Sequence, residues 1–192
     1  MKKTVLIKNK KSKKGFSLLE LLLVLGIIAA LVVAAFIVYP KVQASQRAQA
    51  ESNNIAAIQA GVKALYTSAS SFTGLTNSVA VQAKIFPDNM LSGSGSSAKP
   101  INAFKGNVVV ASANSGPSAA QGSSFTITYS NVPAAECTKI ITAVAGNFYA
   151  VGAGDVGGEG SLKAAGEVLN VARTAMQCQS GGNSNTLVFT SL

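Results

Sequence analysis

The residues with the clearest chemical potential lie at one junction near the N-terminus. Residues 13–15 read Lys-Lys-Gly, and residues 16–20 that follow read Phe-Ser-Leu-Leu-Glu. Glu20 is the only charge in an apolar run that ends at Tyr39. A carboxylate inside a bilayer costs about 2.5–3.5 kcal/mol at the midplane and less near an interface, so it implies a partner or a function. The junction also predicts that the chain is cut.

A cut at this point would create a partner for the glutamate. Phe16 would then carry a free α-amino group one helical turn from the Glu20 carboxylate, and the amine of a neighbouring subunit could serve equally well. Pairing between subunits would fix how far one helix slides along the next, a role with precedent for buried polar pairs. The alternative is a carboxylate near a helix end that reaches the headgroup region.

Two further patterns could bind ligands, and both are weak. Residues 152–157 match G-x-G-x-x-G, but a phosphate-binding loop of this type needs a βαβ unit around it, and here the following helix begins late. Asp155 and Glu159 could share one ion with loop carbonyls, although the acids lack the alternating spacing of a calcium loop. We therefore predict a surface loop over residues 152–160, with no cofactor and no metal site.

The amino-acid composition excludes most of the common catalytic mechanisms. The chain has 192 residues and no histidine, which excludes histidine-based acid–base catalysis, Ser–His or Cys–His nucleophile pairs and histidine metal sites. A hydrolytic Ser–Lys pair stays open, but no spacing proposes one. We expect no catalytic residues and no enzyme.

The charge is divided by the same junction. Sixteen basic and seven acidic residues give a formal charge of +9. Seven of the lysines precede Gly15 and all the acids follow it, so the rest of the chain carries nine positive and seven negative charges, or +2. Those nine are scattered and not interleaved with aromatic residues, which argues against nucleic-acid binding.

The apolar run from Phe16 to Tyr39 is long enough to cross a membrane. Its 24 residues would span about 36 Å as a helix, against a hydrocarbon layer of about 30 Å. The lysines before Gly15 outnumber Lys41 and Arg47 on the other side, so the positive-inside rule places the N-terminus in the cytoplasm. A secretory signal peptide cut near residues 34–35 is the alternative, but its apolar region is normally shorter.

Helical periodicity continues beyond the apolar run. Apolar side chains recur at i, i+3, i+7 and i+10 from Ile55 to Leu65, with polar residues between them. We therefore predict an amphipathic helix over residues 40–68. Gly26 weakens the preceding segment and Pro40 removes a backbone hydrogen bond, so a kink or a locally unstable stretch is expected between them.

The remaining residues predict one globular head over residues 69–192. Its expected elements are strands at 107–111, 124–129 and 186–190, helices at 133–146 and 162–176, and a possible strand at 147–151. The fold class is α+β, with a long N-terminal helix packed on an antiparallel sheet and two short helices in the C-terminal half. The expected domains are a leader (1–15), a transmembrane or filament-core helix (16–39), the amphipathic helix (40–68) and the head.

Cys137 and Cys178 are an even number of cysteines in a chain that is expected to leave the cytoplasm. A disulfide between them is the natural expectation there. A bridge that closes a loop of about 40 residues would stabilise the fold by roughly 4 kcal/mol on the chain-entropy model. Two buried free thiols are the alternative.

Taken together, the charged leader, Gly15, Phe16, Glu20 and the long apolar helix resemble the class III signal of type IV prepilins. The resemblance implies cleavage after Gly15 by prepilin peptidase, N-methylation of Phe16, and glutamate as the fifth mature residue. Residues 125–133, with Cys137 in a short helix and Cys178 near the end, look like type IVb pilins. The short leader and the Phe16 start are instead typical of type IVa pilins.

This resemblance implies a structural role. We expect a major subunit of a type IV pilus filament that serves adhesion, aggregation or motility. Its partners would be copies of itself, prepilin peptidase and the pilus assembly machinery. The precursor would lie in the inner membrane with its head periplasmic, and the mature protein in the extracellular pilus. The alternatives are a minor pilin, a type II secretion pseudopilin and a membrane-anchored ligand-binding adhesin.

Intact-mass spectrometry of the purified protein tests three of these expectations together. The mass should correspond to a chain that starts at Phe16, with one methyl group added and two hydrogens removed for the disulfide. An N-terminus at Met1 would contradict the pilin interpretation.

Overall fold

A computed structural model describes residues 16–95, 98–153 and 161–192. The expected leader, residues 1–15, and residues 154–160 of the expected loop lie outside them. Contacts within the chain define two units, one that ends at Lys41 and one that spans Val42–Leu192. The elements are α1 (Leu18–Leu65), α2 (Asn77–Gln82), a 3₁₀ turn (Asp88–Met90), β1 (Leu91–Ser92), β2 (Lys99–Pro100), β3 (Val108–Ala113), β4 (Ser124–Val132), α3 (Ala134–Val144), a 3₁₀ turn (Ala145–Asn147), β5 (Ala150–Ala153), β6 (Ser161–Lys163), α4 (Val171–Ser180) and β7 (Asn185–Ser191).

Helix α1 contains both predicted helical segments, and Gly26 and Pro40 lie within it. In the second unit its apolar stripe enters the head, where Ile55, Ile58 and Val62 are fully buried. Leu65, which the same periodicity placed on the stripe, is 44% exposed because the helix ends at this residue. Burial of the stripe, and not intrinsic helix propensity, stabilises this half of α1.

The head is built on a five-stranded antiparallel sheet in the order β3-β4-β7-β5-β6. Strand alternation places every second side chain on the inner face. One row across four strands pairs Val110 with Ile127, Ile127 with Phe189, and Phe189 with Val151. These four side chains are at most 1% exposed and share one core with the α1 stripe. The predicted α+β class, a long helix with an antiparallel sheet and two short helices, is confirmed.

The predicted helix over residues 162–176 is wrong in its first half. Residues 161–163 form strand β6, and α4 begins only at Val171. Gly166 has a φ of +75°, and the Asn170 N–H donates to the Leu162 carbonyl, so the chain turns back before the helix. Asn170 then caps α4 by accepting from the N–H of Arg173 at 2.9 Å.

Three smaller elements were not expected. Helix α2 has six residues, and the β1–β2 pair has two residues in each strand. Elements this short carry too few apolar positions to show a period. Strand β4 also extends three residues beyond the predicted end, and its register with β7 shifts between Tyr129 and Val132.

The outer edge of strand β3 is occupied by a side chain that imitates a strand. The Asn77 amide donates to the Val108 carbonyl at 2.9 Å and accepts from the Val110 N–H at 2.6 Å. The Ser112 N–H also donates to the Leu75 carbonyl. An unpaired edge strand is a template for edge-to-edge association, and these bonds remove it.

Replacing Asn77 by Ala should therefore expose this edge. The loss of two hydrogen bonds to the β3 backbone should lower the free energy of unfolding by about 1–3 kcal/mol. Urea unfolding of the full-length protein in detergent micelles measures the change, and light scattering measures aggregation.

Asn89→Ala is the matched control, because Asn89 is exposed and its side chain makes no hydrogen bond in the described part of the chain. Equal stability of the Asn77→Ala and Asn89→Ala proteins would contradict the edge-blocking role.

Candidate assembly site

The described residues of the first unit present an exposed apolar surface. The large apolar side chains described between Leu18 and Tyr39 are 47–78% exposed. The most apolar 18-residue window of α1 has a mean hydropathy of 3.3, and none of it is buried. A helix that is apolar on all sides needs lipid or other helices around it. By length and composition, α1 can cross a membrane.

The predicted assembly residues lie at the start of this helix. Phe16 precedes α1, and Glu20 lies in its first turn with an exposed side chain. Helical hydrogen bonding begins with the Leu21 N–H, which donates to the Ser17 carbonyl at 3.1 Å. A carboxylate in the first turn interacts favourably with the helix dipole. Gly15 lies outside the described residues, so cleavage, methylation of Phe16 and the register role of Glu20 stay predictions.

Cys137 and Cys178 form a disulfide, which confirms the predicted pairing. The bridge joins α3 to α4 with a Cα–Cα distance of 5.8 Å across a sequence separation of 41 residues. Both cysteines are fully buried. Because β5 and β6 lie between them in sequence, the bridge closes a segment that supplies two strands to the sheet.

Polar contacts hold the two short helices in place. The Asn185 amide donates to the carbonyls of Val132 and Cys178, both at 3.0 Å, and so links β4 and α4. The Lys163 ammonium donates to two carbonyl groups just after α3, at 2.6 and 2.7 Å. Positive groups at a helix C-terminus satisfy its carbonyls and favour its dipole. The disulfide-closed segment is thus fixed to the rest of the head.

Glu51 is a buried residue that the sequence patterns above do not single out. It is 2% exposed, and its carboxylate accepts from the Ala103 N–H at 2.8 Å and from the Asn54 amide at 3.3 Å. It lies four residues before Ile55, one turn back along the buried stripe. A carboxylate on the apolar side of an amphipathic helix is the signal that could have identified it.

The Glu51 carboxylate also acts on the sheet. Burial raises the pKa of the Tyr129 hydroxyl well above its usual value, and the charge of Glu51 and a hydrogen bond to it raise that pKa further. The hydroxyl lies 3.8 Å from the Met90 sulfur, a weaker acceptor than the carboxylate. The Tyr129 hydroxyl therefore stays protonated, donates to Met90 and lies within the field of the Glu51 carboxylate on α1.

One Ser–Lys contact exists in the described residues. The Lys139 ammonium on α3 donates to the Ser45 hydroxyl on α1 at 2.7 Å, in an exposed position. Nucleophilic use of such a pair needs a neutral amine in a desolvated site. This contact instead links two helices at the surface, and it gives no support to a hydrolytic function.

The weak ligand motifs lie mostly beyond the described residues. Gly152 belongs to strand β5, while Asp155 and Glu159 fall in residues 154–160. A strand where the loop was expected to begin leaves no helix directly after the first glycine. Within residues 16–95, 98–153 and 161–192, no group of three metal-ligating side chains is found.

The architecture matches solved pilin structures. A type IVb pilin from Salmonella typhi superposes with a TM-score of 0.55 at 21% identity, covering 73% of this chain and 97% of that one. TcpA, a type IV pilin from the El Tor biotype of Vibrio cholerae, gives a TM-score of 0.51 at 18% identity, covering 78% and 99%. The fold is therefore that of the type IV pilins.

Sequence comparison identifies the family. The sequence-family model described as PilS N terminal matches residues 45–192. The model of the prokaryotic N-terminal methylation motif matches residues 10–36. The chain belongs to the PilS N-terminal family. It is also 24% identical to the major structural subunit of bundle-forming pilus from Escherichia coli O127:H6 (strain E2348/69 / EPEC), over 95% of this chain and 96% of that one.

Tyr129→Phe should change how stability depends on pH. An unfolded tyrosine loses its proton near pH 10, whereas the native Tyr129 hydroxyl holds it to higher pH. The contribution of the Tyr129 hydroxyl to the free energy of unfolding is thus complete below about pH 10. Above that pH the contribution decreases, by up to about 1.4 kcal/mol per pH unit. Near neutral pH the variant should lose about 1–2 kcal/mol, because the buried hydroxyl and its polar interactions with Met90 and Glu51 are removed.

Urea unfolding of the full-length protein between pH 8 and pH 11 measures both effects. Tyr149→Phe controls for a general loss of one tyrosine. If the free energy of unfolding falls equally steeply above about pH 10 in wild type and in Tyr129→Phe, the Tyr129 hydroxyl does not have a raised pKa.

Proposed function

We propose that this type IV pilin is the major structural subunit of its pilus. The observation that carries the proposal is the exposed apolar half of α1, which no part of the described chain covers. Packing such helices against copies of themselves would bury this surface in a filament core. The relative named as a major structural subunit matches over nearly the whole of both chains, which supports the same assignment.

Processing would precede assembly. Prepilin peptidase would cut between Gly15 and Phe16 and methylate the new amine of Phe16, which the match to the methylation motif over residues 10–36 supports. The mature chain would wait in the inner membrane with its head in the periplasm. The pilus assembly machinery would then transfer it into the extracellular fibre.

Glu20 would set the register of each added subunit. When the helix moves from lipid into the filament core, the carboxylate enters an apolar environment where an unpaired charge is costly. The N-terminal amine of a neighbouring subunit would neutralise it only at one axial position. A subunit shifted by one turn would leave both charges unpaired, so the pair would select the correct position.

A minor pilin or a pseudopilin would share the fold and the signal. The major-subunit proposal requires sheared fibres to consist predominantly of this chain. If the chain were present only in trace amounts in such fibres, it would be a minor subunit instead.

Glu20→Ala should leave removal of the leader intact and abolish filaments. The substitution removes the charge that would pair with the neighbouring amine but does not alter residues 13–16 around the cut. Immunoblotting reports cleavage as a change in subunit mass, and electron microscopy reports piliation. Glu20→Gln, which keeps the size and loses the charge, should fail in the same way.

Ser17→Ala, a substitution in the same turn of the chain, is the matched control and should assemble normally. Normal piliation in the Glu20→Ala strain would rule out the register role. Failure of cleavage in that strain would place Glu20 in peptidase recognition instead.

A further inference from the structure

An open groove with a mixed apolar and polar lining lies between α3 and α4. Its volume is about 690 Å³, and its polar lining consists of Glu136, Thr138 and Lys139 from α3 with Gln179 and Asn183 from α4 and its C-terminal turn. All these residues belong to the second unit.

Glu136 is the unusual member of this lining. Its side chain is only 7% exposed, yet the carboxylate makes no hydrogen bond and no ion pair within the described residues. In that part of the chain, Thr190 alone has a fully buried side-chain oxygen without a partner, so the Glu136 oxygens keep contact with the open groove. A buried carboxylate normally has a cation or several donors beside it.

The nearest cation in the groove does not fill this role. Lys139 lies one helical turn from Glu136 and lines the same groove, but its ammonium donates to Ser45 at 2.7 Å and forms no ion pair with Glu136 within the described residues. Lys163 is likewise bonded to two backbone carbonyls. Glu136 occupies the first turn of α3, where the helix dipole favours a negative charge but supplies no counter-ion.

Elsewhere in the described part of the head, several basic side chains lack an acidic partner. Lys63, Lys84, Lys99 and Lys105 are exposed and make no ion pair within the described residues. Lys84 and Lys105 also hold positive φ angles of 53° and 62°, a conformation that non-glycine residues rarely adopt.

We propose that the Glu136 groove binds a lysine ammonium from a second copy of this chain. The groove supplies the carboxylate, and the Gln179 and Asn183 amides and the Thr138 hydroxyl line the same space as further acceptors. These four exposed lysines lie outside the groove lining, and in a filament each subunit would offer its groove to one neighbour and a lysine to another. A heterologous contact of this kind propagates into a helical filament and does not close a dimer. The inference rests on the proposed function as a filament subunit.

Glu136→Gln tests the inference in fibres of the mature, full-length protein. The variant keeps the shape of the side chain and removes its charge. At equal temperature and salt, fibres of the variant should release about tenfold more free subunits than wild-type fibres, the effect of losing one partly buried charge pair. Raising the NaCl concentration should weaken wild-type fibres more than variant fibres.

Glu167→Gln is the matched control, because Glu167 is an exposed acid between the same two cysteines. It should behave as wild type. Thermal unfolding of each subunit in detergent micelles should give the same midpoint for all three proteins, which separates a contact between copies from a folding defect.

Carbodiimide treatment of wild-type fibres gives a second readout, since it condenses a carboxylate with an amine in direct contact. Peptide mass spectrometry should find Glu136 joined to a lysine of another copy, established by mixing isotopically light and heavy subunits. Fibres in which Glu136→Gln dissociates as wild type, or in which Glu136 joins no lysine of another copy, would overturn the inference alone. Absence of fibres from the wild-type strain would overturn the proposed function and this inference with it.

Discussion

The rest of the molecule depends on one constraint, the apolar surface of α1 before Lys41. About 25 cal/mol is gained for each Å² of apolar surface removed from water, and along this stretch the large side chains keep 47–78% of their surface exposed. Lipid or the same helices of other copies must cover this surface. As proposed, the chain would have one stable environment in a bilayer and another in a polymer, and the charge at Glu20 would distinguish the two.

A second carboxylate orients the other half of the same helix. Glu51 lies on the buried stripe, accepts from the Ala103 N–H and interacts electrostatically with the Tyr129 hydroxyl, and these two groups belong to different parts of the head. Apolar contacts alone would tolerate a small rotation of α1 over the sheet. A buried charge that must meet specific donors does not tolerate it. The two glutamates thus perform related tasks, one between the helix and the sheet and one, as proposed, between subunits.

The long-range patterns were readable from the sequence. The apolar run, the stripe from Ile55 to Val62 and the strand of residues 124–129 each extend over enough residues to show a period. Contacts set by tertiary structure were not readable. Residues 162–176 contain good helix formers, but the pairing of β6 with β5 and the Asn170 cap override that preference. Asn77 reads as a turn residue, and its role at the β3 edge depends on residues 31 and 33 positions away.

The occupied edges of the sheet bear on the kind of polymer this subunit can form. Asn77 and Leu75 cover β3, and the Asn170 N–H bonds to β6 at the opposite side. Amyloid fibres owe their permanence to a backbone ladder shared between chains, and that route is closed along both outer strands. Contacts between copies would then be made by side chains and helix surfaces, without backbone hydrogen bonds between strands. A fibre of this kind can be dismantled with every subunit still folded, and each subunit could be used again.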